Sequence, residues 1–128
     1  MKPGRELDAL IAEKVMGLHE FCSYAGKSKA SLGWGKNGAD FFKGEISALP
    51  SYSTNIASAW EIVEKLQSLR KSVRVYNQGI VSETTDLYSC EIENRYYEGE
   101  PDTWFSGWVE SAPHAICLAA LKAMGVEV

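Results

Sequence analysis

The pattern of apolar positions between Pro50 and Arg70 organises the rest of the chain. The apolar residues recur every three or four positions and share one face, which consists of Ile56, Trp60, Val63 and Leu66. This spacing is typical of an amphipathic helix with a buried face. We predict a helix from about Asn55 to Arg70, with Ser53 or Thr54 as its cap and Trp60 as a core anchor.

Two further helices are predicted near the ends of the chain. The first runs from Arg5 to Met16, because one apolar stripe passes through Leu7, Leu10, Ile11, Val15 and Leu18. The last runs from about Ala112 to Met124, with Ser111 as its cap and Pro113 at an early position, where the missing N–H costs nothing. Apolar residues surround most of this last helix, which predicts that it is deeply packed.

Three segments between these helices read as strands: 72–81, 86–94 and 103–110. The second alternates apolar and polar residues as a half-buried strand does. The third has apolar residues on both sides, including Trp104 and Trp108, which predicts cover on both faces. The connections Ser82–Thr85 and Arg95–Asp102 are short enough for antiparallel hairpins.

The order of these elements predicts an α+β fold in a single domain over residues 1–128. We expect a helix–sheet–helix (αβα) sandwich. Its sheet is antiparallel, has at least three strands and carries helices on both faces.

The segment from His19 to Gly44 predicts a long loop rich in glycine and lysine, with a short hairpin around Leu32 to Phe42. Long irregular segments in compact domains are usually functional or mobile. His19 and Cys22 could begin a zinc site, but no second pair of ligands follows nearby, so no metal site is predicted. The segment also lacks the residue order of a phosphate-binding P-loop.

Composition narrows the possible classes of function. The formal net charge of −4 does not suit a protein that binds double-stranded nucleic acid. Between Glu83 and Glu110 there are eight acidic residues against Arg95 alone, so an anionic ligand would avoid that stretch. Three cysteines do not predict a disulfide framework, and we expect Cys90 and Cys117 to be buried.

The sequence shows no targeting segment and no membrane span. The charged start of the chain lacks the apolar core of a signal peptide. No apolar run approaches the roughly 18–20 residues that cross a bilayer. We therefore expect a cytoplasmic protein without a membrane partner.

Candidate catalytic groups are few. The two histidines, His19 and His114, do not lie beside a serine or cysteine in a nucleophile motif. The common metal motifs are also missing from the sequence. The residues therefore favour a non-enzymatic protein without a cofactor.

Candidate binding groups lie at two helix starts and in the predicted loop. The start from Tyr52 to Asn55 offers more polar groups than one cap requires, although ordinary capping is the alternative. Trp34 could stack on a base or anchor the loop. Tyr96 and Tyr97 form a second aromatic candidate. The predicted ligand-binding set is Trp34, Lys36, Lys43, Tyr52, Ser53, Thr54, Asn55, Arg74 and His114.

Three separated segments carry a family resemblance: RELDALIAEKVMG, YSTNIASAWEIVEKL and SAPHAICLAALKAMGVEV. They resemble the phage ABA-sandwich domain family, whose members are small proteins of phages and prophages. The resemblance implies helix–sheet–helix layers and supplies no established catalytic residues. Several small accessory phage proteins sequester nucleotide signals made by bacterial defence systems, which suggests a role by context.

The leading hypothesis is therefore a phage-encoded protein that binds a small nucleotide-like anion, such as a cyclic nucleotide or a cyclic ADP-ribose. It would act in counter-defence in the cytoplasm of the infected bacterium. The alternative is an accessory module that binds a host protein or forms a homo-oligomer. A third possibility is a nucleotide phosphodiesterase or hydrolase.

Overall fold

The computed structural model describes residues 1–78, 87–94 and 102–128, with the backbone alone for Phe41. The predicted connection Ser82–Thr85, most of the connection Arg95–Asp102, and the candidates Tyr96 and Tyr97 lie outside the described residues. In chain order the described elements are α1 (Arg5–Lys14), β1 (His19–Ala25), β2 (Ser28–Gly35), α2 (Gly38–Phe42), α3 (Ile56–Ser68), β3 (Lys71–Asn77), β4 (Tyr88–Asn94), β5 (Thr103–Phe105) and α4 (Ala112–Ala123).

Strands β3, β4 and β5 form an antiparallel three-stranded sheet with β4 in the centre. The register pairs Val73 with Ile92, and Ile92 with Trp104, so these three side chains share one face. The α+β class and the antiparallel three-stranded sheet are confirmed. A second antiparallel sheet consists of β1 and β2 alone.

Helices α3 and α4 pack against the three-stranded sheet, and α1 packs against α4. The core includes Ile92 and Cys90 from the sheet, with Leu7 and Ile11 from α1. Ser111 caps α4 by accepting a hydrogen bond from the His114 N–H, as predicted. Eight of the twelve residues in α4 are buried, because sheet and helices surround it. The predicted arrangement of helices flanking antiparallel sheets is confirmed, and α3 and α4 share one core with Cys90 and Ile92.

The buried face of α3 differs from the prediction and consists of Ala59, Ile62, Val63 and Leu66. Ile56 is exposed, and Trp60 is 52% exposed rather than a core anchor. Because successive residues of a helix turn by about 100°, Trp60 lies roughly 60° beyond Val63, on the side away from Leu66. The small side chain of Ala59 lies on the buried side instead. The cap is Asn55, not Ser53 or Thr54.

The loop predicted for His19 to Gly44 is wrong. Its first part is the β1–β2 hairpin, which turns at Gly26 and Lys27, and its later part contains the short helix α2. Gly26 has a φ of 62°, a backbone conformation that glycine adopts without strain. The hairpin was not recognisable from alternation, because most of its residues are polar or small on both faces.

The last strand is shorter than predicted. It ends at Phe105, and Gly107 adopts a φ of 79°, which interrupts the extended backbone. Val109 rejoins the sheet through a single bridge to Tyr88. Trp104 is half-buried against the core, but Phe105 and Trp108 are exposed, so the predicted cover on both faces is wrong. Cys90 and Cys117 are buried as predicted.

No helix in the described ranges has the length and apolar character needed to span a membrane.

Candidate functional site

Trp34 lies where three clefts meet beside the β1–β2 hairpin. The largest, which we call the Trp34 cleft, lies between α1 and β2 and has a volume of about 630 Å³. Its wall includes Arg5, Ala9, Glu20, Leu32, Trp34 and Leu49. Pockets of about 300–1,000 Å³ with an apolar wall and a few polar groups are the usual form of small-molecule sites.

Backbone pairing holds Trp34 at this junction. Its N–H donates to the Ser47 carbonyl at 2.7 Å, and the Ser47 N–H donates to the Trp34 carbonyl at 2.9 Å. The neighbouring Gly33 permits this approach, since a Cβ there would lie 3.1 Å from the Ser47 oxygen. Trp34 is only 8% exposed and belongs to the core, so it offers a ligand one edge rather than a full stacking face.

Two smaller clefts adjoin the Trp34 cleft. One of about 410 Å³ shares Ala9, Glu20 and Trp34 with it and adds Glu13 and His19. Another of about 340 Å³ is lined by Trp34 together with Lys36, Asp40 and Glu45. The structure therefore brings the predicted residues Trp34 and Lys36 to one place.

The charges of the Trp34 cleft are mixed. Arg5 contributes a guanidinium, which donates to the Leu49 carbonyl at 2.8 Å and pairs with Asp8 at 3.3 Å. Glu6 and Glu20 contribute carboxylates. This mixture of a cation and carboxylates suits a ligand that carries hydroxyl donors as well as an anionic group.

Glu20 is held ionised by its neighbours on the hairpin. The Cys22 thiol donates a hydrogen bond to Glu20 at 3.4 Å, and the Lys29 ammonium lies 3.3 Å away. These two groups, with the thiol contributing most, lower the pKa of Glu20 below its ordinary value. The carboxylate is therefore an acceptor for hydrogen bonds at neutral pH.

The predicted anion site at the start of α3 is not available to a ligand. Tyr52 and Ser53 are fully buried. The Ser53 hydroxyl accepts a hydrogen bond from the Gly4 N–H at 2.9 Å and donates to Asp8 at 2.7 Å. Asn55 caps α3 by accepting from the Ser58 N–H at 3.0 Å. The apparent surplus of polar groups is therefore used inside the fold, and Thr54 alone is both exposed and outside these contacts.

The remaining predicted residues lie apart from the Trp34 cleft. Lys43 is exposed just after α2 and does not line it. Arg74 is exposed on β3, where it lies opposite Glu91 of β4. His114 lies at the start of α4, and its Nε2 is 2.7 Å from the Met1 carbonyl. It lines a separate cleft of about 450 Å³ with Pro3.

Sequence reasoning missed Arg5, Glu20 and Leu49. Each lies in a different part of the chain, and only the folded structure brings them to one cleft. Arg5 has a weak local signal, because a cation at a helix start runs against the helix dipole. Its contacts with Leu49 and Asp8 explain why it is there.

Within residues 1–78, 87–94 and 102–128, no group of three or more His, Cys, Asp or Glu side chains is placed to hold a metal ion. Burial raises the pKa of the Cys90 thiol to about 12 and that of Cys117 further still. Both thiols are therefore protonated core residues.

The family model of the phage ABA sandwich domain matches residues 9–121. No curated protein and no solved structure matches the chain. The match spans nearly the whole chain and includes the hairpin, the three-stranded sheet and most of α4. Of the α1 residues that line the Trp34 cleft it includes Ala9, whereas Arg5 and Glu6 precede it. The chain belongs to the phage ABA sandwich domain family.

Proposed function

We propose that this phage-family protein binds a small nucleotide-like signal in the Trp34 cleft and sequesters it without chemical conversion. The physiological role would be counter-defence, in which a bacterial immune signal of the cyclic nucleotide or cyclic ADP-ribose type is withdrawn from solution. The observation that carries the proposal is the cleft itself: about 630 Å³ with an apolar wall and ionic groups at its edge.

The lining supplies a partner for each part of a nucleotide. Leu32, Leu49 and the edge of Trp34 give an apolar surface for the base. The carboxylates of Glu6 and Glu20 can accept hydrogen bonds from ribose hydroxyls, as acidic residues do in dinucleotide-binding proteins. Among the described residues that line the cleft, Arg5 is the cation, and it would face a phosphate.

The adjoining cleft extends this arrangement. Lys36 lines it together with Trp34, so a ligand with a second phosphate could reach a second cation. The proposed site thus keeps Trp34 and Lys36 from the sequence-based set. It replaces Tyr52 to Asn55 with Arg5, Glu6 and Glu20.

Ligand depletion tests the proposal. The protein is incubated with a panel of cyclic dinucleotides and cyclic ADP-ribose isomers, filtered, and then denatured. We expect one compound to disappear from the filtrate and to return intact on denaturation. A converted product would instead establish an enzyme, and a filtrate that keeps every compound would overturn sequestration.

A matched pair of leucine variants assigns binding to the cleft. Leu32 lines the cleft, whereas Leu69 follows α3 outside it, and the two side chains are similarly exposed. We expect Leu32→Ala to weaken binding about tenfold, since an apolar contact of this size is worth roughly 1–2 kcal/mol. Leu69→Ala should bind as the natural protein does. Equal effects of the two variants would remove the cleft from the proposal.

A second candidate function, binding to another protein, is favoured by exposed apolar side chains. Ile56 and Trp60 are exposed one turn apart on α3, and Phe105 is exposed on β5. Tryptophan and phenylalanine are enriched in protein interfaces. The depletion experiment separates the two functions. Small-molecule binding in the cleft predicts depletion by the natural protein and by Trp60→Ala, but not by Leu32→Ala.

A further inference from the structure

The outer half of the β1–β2 hairpin has no buried residue. Every residue from Ser23 to Leu32 is exposed on both faces of the ribbon, and Tyr24 is 73% exposed. We call residues 23–32 the hairpin arm. A two-stranded hairpin is at best marginally stable in water unless something packs on it. The arm is nevertheless regularly paired, with Tyr24 opposite Lys29 and Ala25 opposite Ser28.

The arm is positively charged. Lys27 lies in its turn and Lys29 on its second strand, and the sequence has no acidic residue between Glu20 and Asp40. Lys29 pairs with Glu20 at the base of the hairpin. Tyr24 and Lys29 project from one face of the ribbon, while Ser23, Ala25, Ser28 and Ala30 form a smooth face of small side chains.

The chain carries a surface of complementary character on its three-stranded sheet. The outer face of that sheet, opposite Cys90 and Ile92, includes the row Arg74–Glu91–Phe105 and the row Ser72–Glu93–Thr103. Tyr76 donates a hydrogen bond from its hydroxyl to Glu91 at 2.8 Å. Arg74 lies opposite Glu91, whereas the described register places the uncharged Ser72 and Thr103 opposite Glu93. Phe105 and Tyr76 add exposed apolar surface.

We propose that the hairpin arm of one copy docks on the outer sheet face of a second copy, and that the exchange is reciprocal. Lys27 would approach Glu93, and Tyr24 would pack on Phe105. In a dimer with a two-fold axis, each arm docks on the sheet of the other copy, so the interface contains two copies of this small contact. Opposite charges on the arm and the sheet also fix which surface each arm selects.

The geometry allows this contact. At about 3.3 Å per residue, the first strand of the arm (23–25) spans roughly 10 Å and the second (28–32) roughly 16 Å. A three-stranded sheet is about 10 Å wide between its outer strands. The arm is therefore long enough to lie across all three strands of a partner.

Sedimentation velocity over a range of protein and salt concentrations tests the proposal. We expect a dimer that dissociates as ionic strength rises, because its contacts are partly ionic. Lys27→Glu should weaken the dimer at least tenfold, and so should Glu93→Lys. The two substitutions together in one chain should restore it, since the charges are then exchanged. Lys2→Glu, at an exposed lysine outside the arm, is the matched control and should leave the dimer unchanged.

Three outcomes would overturn the proposal: a monomer at every concentration, a dimer that Lys27→Glu does not weaken, or a double variant that stays dissociated. A protein that stays monomeric and uses the arm to bind nucleic acid or a host protein would give the first of these outcomes. Circular dichroism of each variant checks that the fold is kept, which we expect because Lys27 is exposed and Glu93 is only partly buried. Tyr24 and Lys27 do not line the Trp34 cleft. The result of the ligand-depletion experiment is therefore independent of whether the protein forms this dimer.

Discussion

Asp8 and Ser53 are joined by two hydrogen bonds although 45 residues separate them in the sequence. One oxygen of the Asp8 carboxylate accepts from the Ser53 N–H at 2.8 Å and from its hydroxyl at 2.7 Å. This contact fastens α1 to the segment that leads into α3. Both parts also line the Trp34 cleft, with Arg5 on α1 and Leu49 just before Ser53. The Asp8–Ser53 contact therefore holds the cleft in shape.

Asp8→Ala should lower the free energy of unfolding by about 3 kcal/mol, because it leaves a buried N–H and a buried hydroxyl without their acceptor. Urea denaturation measures the loss. Asp40 offers a matched control, since it also accepts a backbone hydrogen bond, from the Lys36 N–H, but in an exposed position. Asp40→Ala should lose less than about 1 kcal/mol. Equal losses in the two variants would contradict the structural role given to Asp8.

Trp60→Ala should cost less than about 1.5 kcal/mol of stability, because the indole is half exposed. Ile62→Ala should cost about 2–5 kcal/mol, because Ile62 is fully buried on the face that packs into the core. The comparison is made by urea denaturation of both variants. A larger loss for Trp60→Ala would restore the sequence-based assignment of the buried face.

Trp34→Ala should destabilise the protein by about 3 kcal/mol, since the indole is nearly buried and belongs to the core. Loss of ligand binding in that variant would therefore not identify a binding residue. Trp34→Phe keeps an aromatic ring and should retain most of the stability. Thermal unfolding followed by circular dichroism distinguishes these cases, and an unchanged Tm for Trp34→Ala would show that the tryptophan is not a core residue.

Alkaline pH should weaken the fold through Tyr52. Burial, with the nearby Glu61 and Asp8, raises the pKa of its phenol from 10.0 to about 12. Since the pKa is higher in the folded state, the contribution of Tyr52 is complete below pH 10 and is lost as the pH rises to 12. The loss is on the order of 2 kcal/mol.

Tyr52→Phe isolates this contribution, because phenylalanine fills nearly the same space without an ionisable group. We expect the difference in unfolding free energy between the two proteins to change from pH 9 to pH 12 in favour of the phenylalanine variant. Parallel curves for the two proteins over this range would show that the phenol is not buried.

The elements with strong periodic signals were predictable from the sequence. The last helix and its Ser111 cap follow from a continuous apolar segment after a capping serine, and β4 follows from its alternation. The hairpin was missed because its residues are exposed on both faces, which leaves no alternation to detect. The buried face of α3 differs from the prediction because the large apolar Trp60 is half exposed, whereas the small Ala59 packs in the core.

The site was less predictable than the fold. Polar residues at the start of α3 have the same appearance whether they bind a ligand or the rest of the protein, and Ser53 binds Asp8. Local sequence could not show this, because the partner lies in another helix. The Trp34 cleft likewise depends on how α1, β2 and the segment around Leu49 pack. Trp34 and Lys36 could be proposed from the sequence because glycines and lysines around a tryptophan are a local feature.

The most direct test of ligand binding in the Trp34 cleft uses the four tryptophans as reporters. In a two-dimensional NMR spectrum, each indole N–H gives one signal, which single Trp→Phe variants assign to Trp34, Trp60, Trp104 or Trp108. The protein is titrated with the cyclic dinucleotides and cyclic ADP-ribose isomers of the depletion panel. We expect the Trp34 signal to shift with the bound compound, while those of Trp60, Trp104 and Trp108 stay in place. A bound compound that leaves the Trp34 signal unchanged would contradict the proposed site.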